Sequence, residues 1–258
     1  MSCLLRLLRL HHSCISGTKI PTIFAYVINT HMYTTLKRVV LLAAAALLLF
    51  SCSKDEIPAE PIPLTAVDMG LSVKWADANL GATSLESSGE FYAWGETSTK
   101  PEYLWQTYDY YGGADSKFTK YCPLDKPDYW AGSGAPDGKT QLDLRDDVAH
   151  VKLGGTWRIP TDDEWAELFE NCSWEWIKQN GVAGHLLTSK KNGASIFLPA
   201  AGSFDTVLLY EGTYGLYWSS NLYTDDPNGA LIAHLAWQMV FNSIGSRAAG
   251  YPIRPVCD

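Results

Sequence analysis

An abrupt change of composition after Ser51 most constrains what this chain can fold into. The first 51 residues contain five basic residues and no Asp or Glu, whereas all ten Trp and all 28 acidic residues follow. Of the 20 Lys and Arg, 15 lie after Ser51, so that part carries a net charge of −13. A leader so unlike the rest is typical of a targeting segment outside the fold. The acidic charge of the remainder argues against nucleic acid as a partner.

The leader has the three parts of a lipoprotein signal peptide. Residues 32–38 form a short basic region, and residues 39–50 (VVLLAAAALLLF) form an apolar run too short to span a bilayer comfortably. Residues 49–52 (LFSC) resemble a lipobox, in which cleavage precedes a cysteine that then receives acyl chains such as palmitate. We therefore expect a signal peptide over residues 32–51 and lipid attachment at Cys52. A plain cleaved signal with an incidental Cys52 is the alternative.

Two further expectations concern the flanks of this signal. Because residues 32–51 are complete as a signal, we expect residues 1–31 to be an extension upstream of the natural start; an unusually long basic region is the alternative. Residues 53–56 (SKDE) resemble the acidic export signal of Bacteroidetes lipoproteins, which implies an outer-membrane protein facing the cell exterior. A plain solvated tether is the other interpretation. Residues 52–65 are thus predicted to be an acidic tether stiffened by prolines.

The rest, residues 66–258, is predicted to be one domain with short strands and turns. Alternating apolar residues indicate strands, and Asn180-Gly181 between two such runs predicts a type I′ hairpin turn. Asn192-Gly193 marks a second turn. The expected strands are residues 71–75, 90–94, 174–178, 182–189, 196–198, 216–219, 231–241 and 251–256.

Helical signals are few. Residues 143–151 can form a short helix, and residues 162–171 follow a capping box in which Thr161 and Glu164 bond each other's backbone amides. Between residues 110 and 141 the pattern dissolves into Gly, Asp, Pro and Lys, which predicts a long irregular excursion. The fold class is therefore α+β: a twisted antiparallel sheet with one or two helices and long loops.

Six motifs in this order resemble those of a known family. They are residues 67–75 (VDMGLSVKW), 92–96 (YAWGE), 154–161 (GGTWRIPT), 197–202 (FLPAAG), 217–220 (YWSS) and 253–257 (IRPVC). Together they resemble the Fibrobacter-succinogenes major paralogous domain of Bacteroidetes lipoproteins. That group is similar to the C-type-lectin-like fold, to formylglycine-generating-enzyme-type domains and to the variable proteins of diversity-generating retroelements. The resemblance covers nearly all of residues 66–258 and implies a C-type-lectin-like fold.

The resemblance also bears on the cysteines. Relatives often carry a cysteine in the first strand, where this chain has Ala78. Lectin-like folds often tie a helix to the last strand, which implies a disulfide between Cys172 and Cys257. Cys122 would then be left over, although the sequence alone leaves all three pairings of Cys122, Cys172 and Cys257 open. Three separate buried thiols are the alternative.

The sequence offers little for catalysis or metal binding. We expect Arg158 and Arg254 to be structural, with their guanidinium groups bonded to carboxylates or carbonyls. The carboxylates at residues 146–147, 162–164 and 225–226 lack the spacing of a calcium loop, and the histidines of the domain lack metal-ligand spacing. The paired C-terminal cysteines that a copper-dependent oxidase would need are missing. We therefore expect no enzyme activity, no metal and no cofactor.

Binding of an extracellular protein or glycan is the favoured function. Residues 230–250 break simple alternation, and in retroelement-diversified relatives this stretch carries the variable residues. The resemblance thus implies a ligand-binding set: Leu231, Ile232, His234, Trp237, Gln238, Ile244, Ser246, Ala248 and Ala249. Ordinary core packing of such residues is the alternative for each. A structural or adhesive subunit of fimbrial type, and a degenerate formylglycine-generating-type enzyme, are the other functions considered.

Overall fold

A computed structural model describes residues 59–258, which form one compact unit. The predictions for residues 1–31, the signal peptide, Cys52 and the first part of the tether lie outside the described residues. In chain order the strands are β1 Ala66–Val67, β2 Lys74–Ala76, β3 Phe91–Tyr92, β4 Cys172–Gln179, β5 Val182–Ser189, β6 Ser195–Pro199, β7 Ser203–Phe204, β8 Leu208–Leu209, β9 Gly215–Leu222, β10 Gly229–Ala236, β11 Met239–Ser246, β12 Tyr251–Pro252 and β13 Val256–Cys257. The helices are α1 Val148–Leu153 and α2 Asp162–Asn171, with single 3-10 turns at Trp105–Thr107, Pro127–Tyr129 and Leu144–Asp146.

The centre of the fold is an antiparallel sheet in the order β11-β10-β9. The hairpin β10–β11 pairs Gly229 with Ser246 at one end and Ala236 with Met239 at the other, and it turns at Trp237-Gln238. The single strand expected over residues 231–241 is therefore wrong. The middle strand, β10, packs against a core on each face, so apolar residues occupy both its odd and its even positions. The alternation of apolar and polar residues, which would show where a strand ends, is therefore lost.

A second antiparallel sheet has the order β4-β5-β6. Its β4–β5 turn has positive φ at Asn180 (49°) and Gly181 (88°), as a type I′ turn requires, so that prediction is confirmed. Three small antiparallel sheets, β1-β2-β13, β3-β12 and β7-β8, complete the domain. The predicted class is confirmed at the level of a sheet-rich α+β fold with few helices.

Two hydrophobic cores pack against opposite faces of the central sheet. The first contains Trp218 and Ile232 together with Tyr92 and Trp94. The second contains Tyr217, Ala233 and Leu235, with Trp165 and Leu168 of α2. Helix α2 has the predicted bounds, and its capping box is present, with the Glu164 amide donating to the Thr161 hydroxyl. The sheet is thus sandwiched, which fixes β9 and β10 firmly.

Several predicted elements are shorter than expected. The strands predicted over residues 71–75 and 90–94 shrink to β2 and β3, and the last strand divides into β12 and β13. The helix predicted over residues 143–151 breaks before α1, because the buried Asp147 carboxylate caps α1 by accepting the amides of Ala149 and His150. The same carboxylate accepts from the Ile159 amide. Residues 110–141 are an irregular excursion, as predicted, with isolated bridges at Tyr111, Phe118 and Trp130.

The two ends of the domain differ from the expected arrangement. The Ile62 amide donates to the Ala82 carbonyl, and Leu64 packs against the first core, so the fold begins inside the segment predicted as tether. In the described part of the chain Cys122, Cys172 and Cys257 are all free, buried thiols. The expected disulfide is therefore not present: Cys172 begins β4 opposite Ser189, whereas Cys257 pairs with Lys74 of β2. Three separate buried thiols are what the structure has.

Candidate functional site

The tip of the β10–β11 hairpin carries large apolar side chains in solvent. Trp237 in the turn is 68% exposed, and Met239 and Phe241 on β11 are 52% and 39% exposed. Most exposed apolar residues occur singly and need no explanation, but neighbouring ones mark interaction surfaces. We call the set Tyr210, Tyr214, His234, Trp237, Met239 and Phe241 the hairpin patch.

Four rings of the hairpin patch form a row of neighbouring rings, in which His234 and Phe241 are stacked, Tyr214 meets His234 edge-on and Tyr210 is tilted against Tyr214. Tyr210 and Tyr214 lie 5.4 Å apart between centroids, Tyr214 and His234 5.2 Å, and His234 and Phe241 4.7 Å. His234 is opposite Phe241 in the strand register, which places both on one face of the sheet. Partial burial lowers the pKa of His234, so its ring is neutral at neutral pH. The row of rings is therefore an uncharged aromatic surface.

Tyr210 occupies a backbone conformation that bulky residues rarely adopt. Its φ is 61°, in the left-handed region, and its side chain is 57% exposed. The amides of Thr213 and Tyr214 both donate to its carbonyl, which holds the loop closed. Strain of this kind persists only where the surroundings enforce it, and it is common at functional sites. In this protein, the left-handed conformation places the Tyr210 ring at the end of the row of rings.

β11 is an edge strand without the usual protection of an edge. Residues 227–246, which include the whole hairpin, contain no Asp, Glu, Lys or Arg. Within residues 59–258, no backbone hydrogen bond reaches β11 from any strand other than β10. Natural proteins usually protect such edges with charges, prolines or bulges, because an open edge can accept another strand. The outward backbone groups of β11 are thus not paired with another strand of the described residues, although α2 packs against β11 and Asn242 Nδ2 donates to the Asp162 carbonyl at 2.9 Å.

A separate open cleft of about 540 Å³ lies at the other end of β11. Its walls are aromatic at Trp105 and Tyr223, apolar at Ile244 and polar at Ser116, Asp226, Asn228 and Ser246, with Gly229 and Gly245 at the base. A side chain on either glycine would collide, since a Cβ would stand 2.5 Å from Ile244 and 2.4 Å from the Tyr251 ring. Both glycines therefore keep the floor of the cleft closely packed.

Arg247 holds the walls of the cleft together from below. Its side chain is fully buried; Nε donates to the Tyr108 hydroxyl at 3.0 Å, and the terminal nitrogens donate to the carbonyls of Lys120, Tyr121 and Pro227 at 2.9–3.2 Å. The Phe118 ring lies 4.4 Å from the guanidinium carbon. Arg247 thus ties the irregular excursion to the loop before β10.

The residues implied by the resemblance are divided between these two places. His234, Trp237 and Gln238 lie at the hairpin tip, whereas Ile244 and Ser246 line the cleft and Leu231, half-buried, is opposite Ile244. Ile232 (2% exposed) and Ala248 (3%) are core residues, so they are wrong as contact positions. Ala249 is half-buried against the first core. Strand parity accounts for Ile232, which faces the first core beside Trp218.

Several site residues were missed from the sequence. Tyr210, Tyr214 and Trp105 lie outside residues 230–250. Met239 and Phe241 were placed in the single strand expected over residues 231–241, and they were not among the expected contact positions. The only available signal was the absence of charge through residues 227–246. Long-range packing brings the other aromatic residues to the site, so no local pattern reveals them.

Arg158 and Arg254 are structural, as predicted. Arg158 forms a bidentate pair with Glu164 at 2.5 and 2.8 Å, which ties the residues before α2 to its capping box. Arg254 is fully buried and donates to Asn79 Oδ1 and to the carbonyls of Ala76 and Phe197. In residues 59–258, no three His, Cys, Asp or Glu side chains are grouped so that they could hold a metal ion.

Comparisons with known proteins add no relative. No family model, curated protein or solved structure matches this chain. Among the described residues, no helix has the length and apolar character needed to cross a membrane.

Proposed function

We propose that this chain is a surface-exposed bacterial lipoprotein whose C-type-lectin-like domain binds an extracellular protein through the hairpin patch. The observation that carries the proposal is the exposure of Trp237, Met239 and Phe241 at the tip of a charge-free hairpin. The anchor would be a lipid on Cys52, in the outer membrane. No catalytic role is proposed.

The composition of the patch favours a protein over a small polar ligand. Trp, Tyr and Met are enriched in protein interfaces, and a few buried aromatic anchors usually supply most of the binding free energy. Trp237 can lose most of its exposed surface to a partner, and the Tyr210 ring, which rests against Tyr214 on one side, is still 57% exposed. The open edge of β11 offers backbone groups beside these anchors. A partner with an extended, apolar, weakly charged segment could pair with the backbone of β11 and cover the aromatic anchors at the same time.

The six family-like motifs support the lectin-like part of the proposal, and five of them overlap strands of the described fold, whereas residues 154–161 connect α1 to α2. For example, residues 253–257 lead into β13, which pairs with β2 of the first motif. The same pairing bears on the fimbrial alternative, because a last strand paired within its own domain is not donated to a neighbour. We therefore do not favour the subunit function. Nothing in the site favours the degenerate enzyme.

The binding proposal is tested with an array of extracellular proteins probed by residues 59–258. Trp237→Ala should weaken binding to any ligand found by at least about tenfold, the usual loss at an interface anchor. Trp174→Ala is the matched control, since Trp174 is an exposed (38%) Trp of the other large sheet. Binding that survives Trp237→Ala, or an array with no ligand at micromolar concentration, would overturn the proposal.

The location is tested separately in a bacterial host that expresses the full chain. Labelled palmitate should enter the protein, and Cys52→Ala should abolish the label, whereas Cys14→Ala, upstream of the expected signal, should not. External protease on intact cells should remove the domain. Labelling that survives Cys52→Ala would refute the anchor without affecting the binding proposal.

A further inference from the structure

We propose that the cleft at the far end of β11 is a second binding site, which takes a neutral pyranose sugar without a metal ion. The site goes beyond the proposed function, which uses the hairpin patch. Its volume of about 540 Å³ lies within the usual range of ligand pockets, about 300–1,000 Å³. The argument rests on the chemistry and rigidity of its walls.

The aromatic wall offers a flat apolar surface of the kind on which a sugar ring stacks. Trp105 lines the cleft and is only half-buried, so part of its indole faces the cleft. Its ring is held by neighbours: the Phe118 centroid lies 5.7 Å away and the Tyr108 centroid 6.0 Å away. The axial C–H groups of a pyranose can pack on such a face. Tyr223 and Ile244 extend the apolar part of the lining.

The polar wall offers the groups that hydroxyls bind. Ser116 and Ser246 present exposed hydroxyls, each of which can donate and accept. Asp226 and Asn228 form a compact turn, in which the backbone and side-chain amides of Asn228 donate to Asp226 Oδ1 at 3.1 and 2.8 Å. Hydroxyls, an amide and one carboxylate beside an indole are suited to a ligand rich in hydroxyls and poor in apolar bulk.

The charge of the lining selects against anions. Asp226 is acidic, and of the described residues that line the cleft none is Lys or Arg. The domain around it is acidic as well, since the chain carries −13 after Ser51. The buried guanidinium of Arg247 is already bonded to the carbonyls of Lys120, Tyr121 and Pro227, so a sugar with a carboxylate or sulfate would meet Asp226 without a cation in the lining to pair with. A neutral sugar fits the lining and an acidic sugar does not.

The cleft and the hairpin patch are far enough apart to be tested independently. Seven residue steps of β11 separate Met239 from Ser246, which at about 3.4 Å each is roughly 24 Å. Trp105 packs on Tyr108 and Phe118, and Arg247 bonds to Tyr108 and to backbone carbonyls, so these contacts do not involve the hairpin tip. A variant at one site should therefore leave the other site unchanged.

The test uses the compact unit, residues 59–258, and ligand-detected NMR with methyl glucoside, methyl mannoside, methyl galactoside and N-acetylglucosamine as probes. At least one neutral probe should bind, with a Kd in the millimolar range expected of so small a ligand. N-acetylneuraminic acid is the acidic probe and should bind at least about tenfold more weakly. Trp105→Ala should reduce the binding of the neutral probe at least about tenfold.

Two further variants keep the test decisive. Because Trp105 packs on Tyr108 and on Phe118 of the excursion, Trp105→Ala could also disturb the fold. Ser246→Lys, at an exposed position, blocks the cleft with little risk to the fold and should also abolish binding. Trp237→Ala should retain it, which separates this site from the hairpin patch. The proposal is overturned if no neutral probe binds up to about 20 mM, if binding survives Ser246→Lys, or if the acidic probe is preferred.

Discussion

Replacement of Arg247 by Ala should destabilise the domain, although the residue has no charged partner. Its guanidinium is fully buried, and among the described residues its hydrogen-bond acceptors are three backbone carbonyls and the Tyr108 hydroxyl. The substitution leaves those carbonyls buried without a donor. It also removes the contact between the guanidinium and the buried Phe118 ring of the excursion.

The magnitude follows from opposing contributions. Three buried carbonyls that lose their donor cost about 1 kcal/mol each at the lower end of the usual range. Removal of the two buried methylene groups Cγ and Cδ costs about 2 kcal/mol more. Against this, a buried charge without a carboxylate partner is itself unfavourable, and its removal returns about 2 kcal/mol. The free energy of unfolding should therefore fall by about 3 kcal/mol.

Urea denaturation of residues 59–258, followed by tryptophan fluorescence, measures this change. With a slope of about 2 kcal/mol per molar urea, the midpoint should fall by about 1.5 M. Arg145→Ala is the matched control, because its side chain is 69% exposed and its one ion pair, with Asp143, is at the surface. That control should change the midpoint by less than about 0.3 M. An equally small change for Arg247→Ala would refute the reasoning.

Three further predictions concern the cap, a buried imidazole and the thiols. Thr161→Ala removes the hydroxyl that caps α2 and should lower the free energy of unfolding by about 1 kcal/mol in urea denaturation. Burial lowers the pKa of His185 from 6.5 to about 4, so between these values the unfolded state binds more protons, and the free energy of unfolding should fall by up to about 3 kcal/mol as the pH is lowered from 6.5 to 4. Cys122, Cys172 and Cys257 should all be inert to a thiol reagent in the native domain, and all three should react in denaturant without reductant.

Each of these has its own control and contrary outcome. Thr161→Ser keeps the capping hydroxyl and should retain most of the stability; a loss equal to that of Thr161→Ala would count against the cap. In His185→Leu the part of the pH dependence between 6.5 and 4 should disappear, and an unchanged pH profile would refute the assignment. Reaction of only one thiol in denaturant would show that a disulfide forms after all.

Local chemistry made part of the fold predictable. The capping box of α2 and the Asn180-Gly181 turn each depend on residues close in sequence, and the structure places both as expected. The hairpin at Trp237 was not predictable in the same way, because β10 is buried on both faces and alternation no longer distinguishes strand from turn. Tertiary packing decided where that chain reverses.

The candidate site depends even more on tertiary packing, and less of it could be predicted from local sequence. Trp237 and His234 were selected through the resemblance, which implies contact positions in residues 230–250. Tyr210 joins them through a loop tied to the residues after β6, where the Gly212 amide donates to the Ala200 carbonyl, and Trp105 reaches the cleft from a 3-10 turn far away in the sequence. The role of Arg247 depends on acceptors more than a hundred residues away as well as on nearby Pro227. No local pattern carries that information.

The sandwiched central sheet has a consequence for how this domain can change over time. Between the two cores, Ile232 and Ala233 are confined by packing, so substitutions there unfold the domain before they alter recognition. Outside the cores, Trp237 and Met239 are mostly exposed, so their replacement should change the free energy of unfolding little. One short hairpin therefore joins positions that resist mutation to positions that tolerate it. A lineage that carries this domain could acquire new binding specificities while its scaffold stays the same.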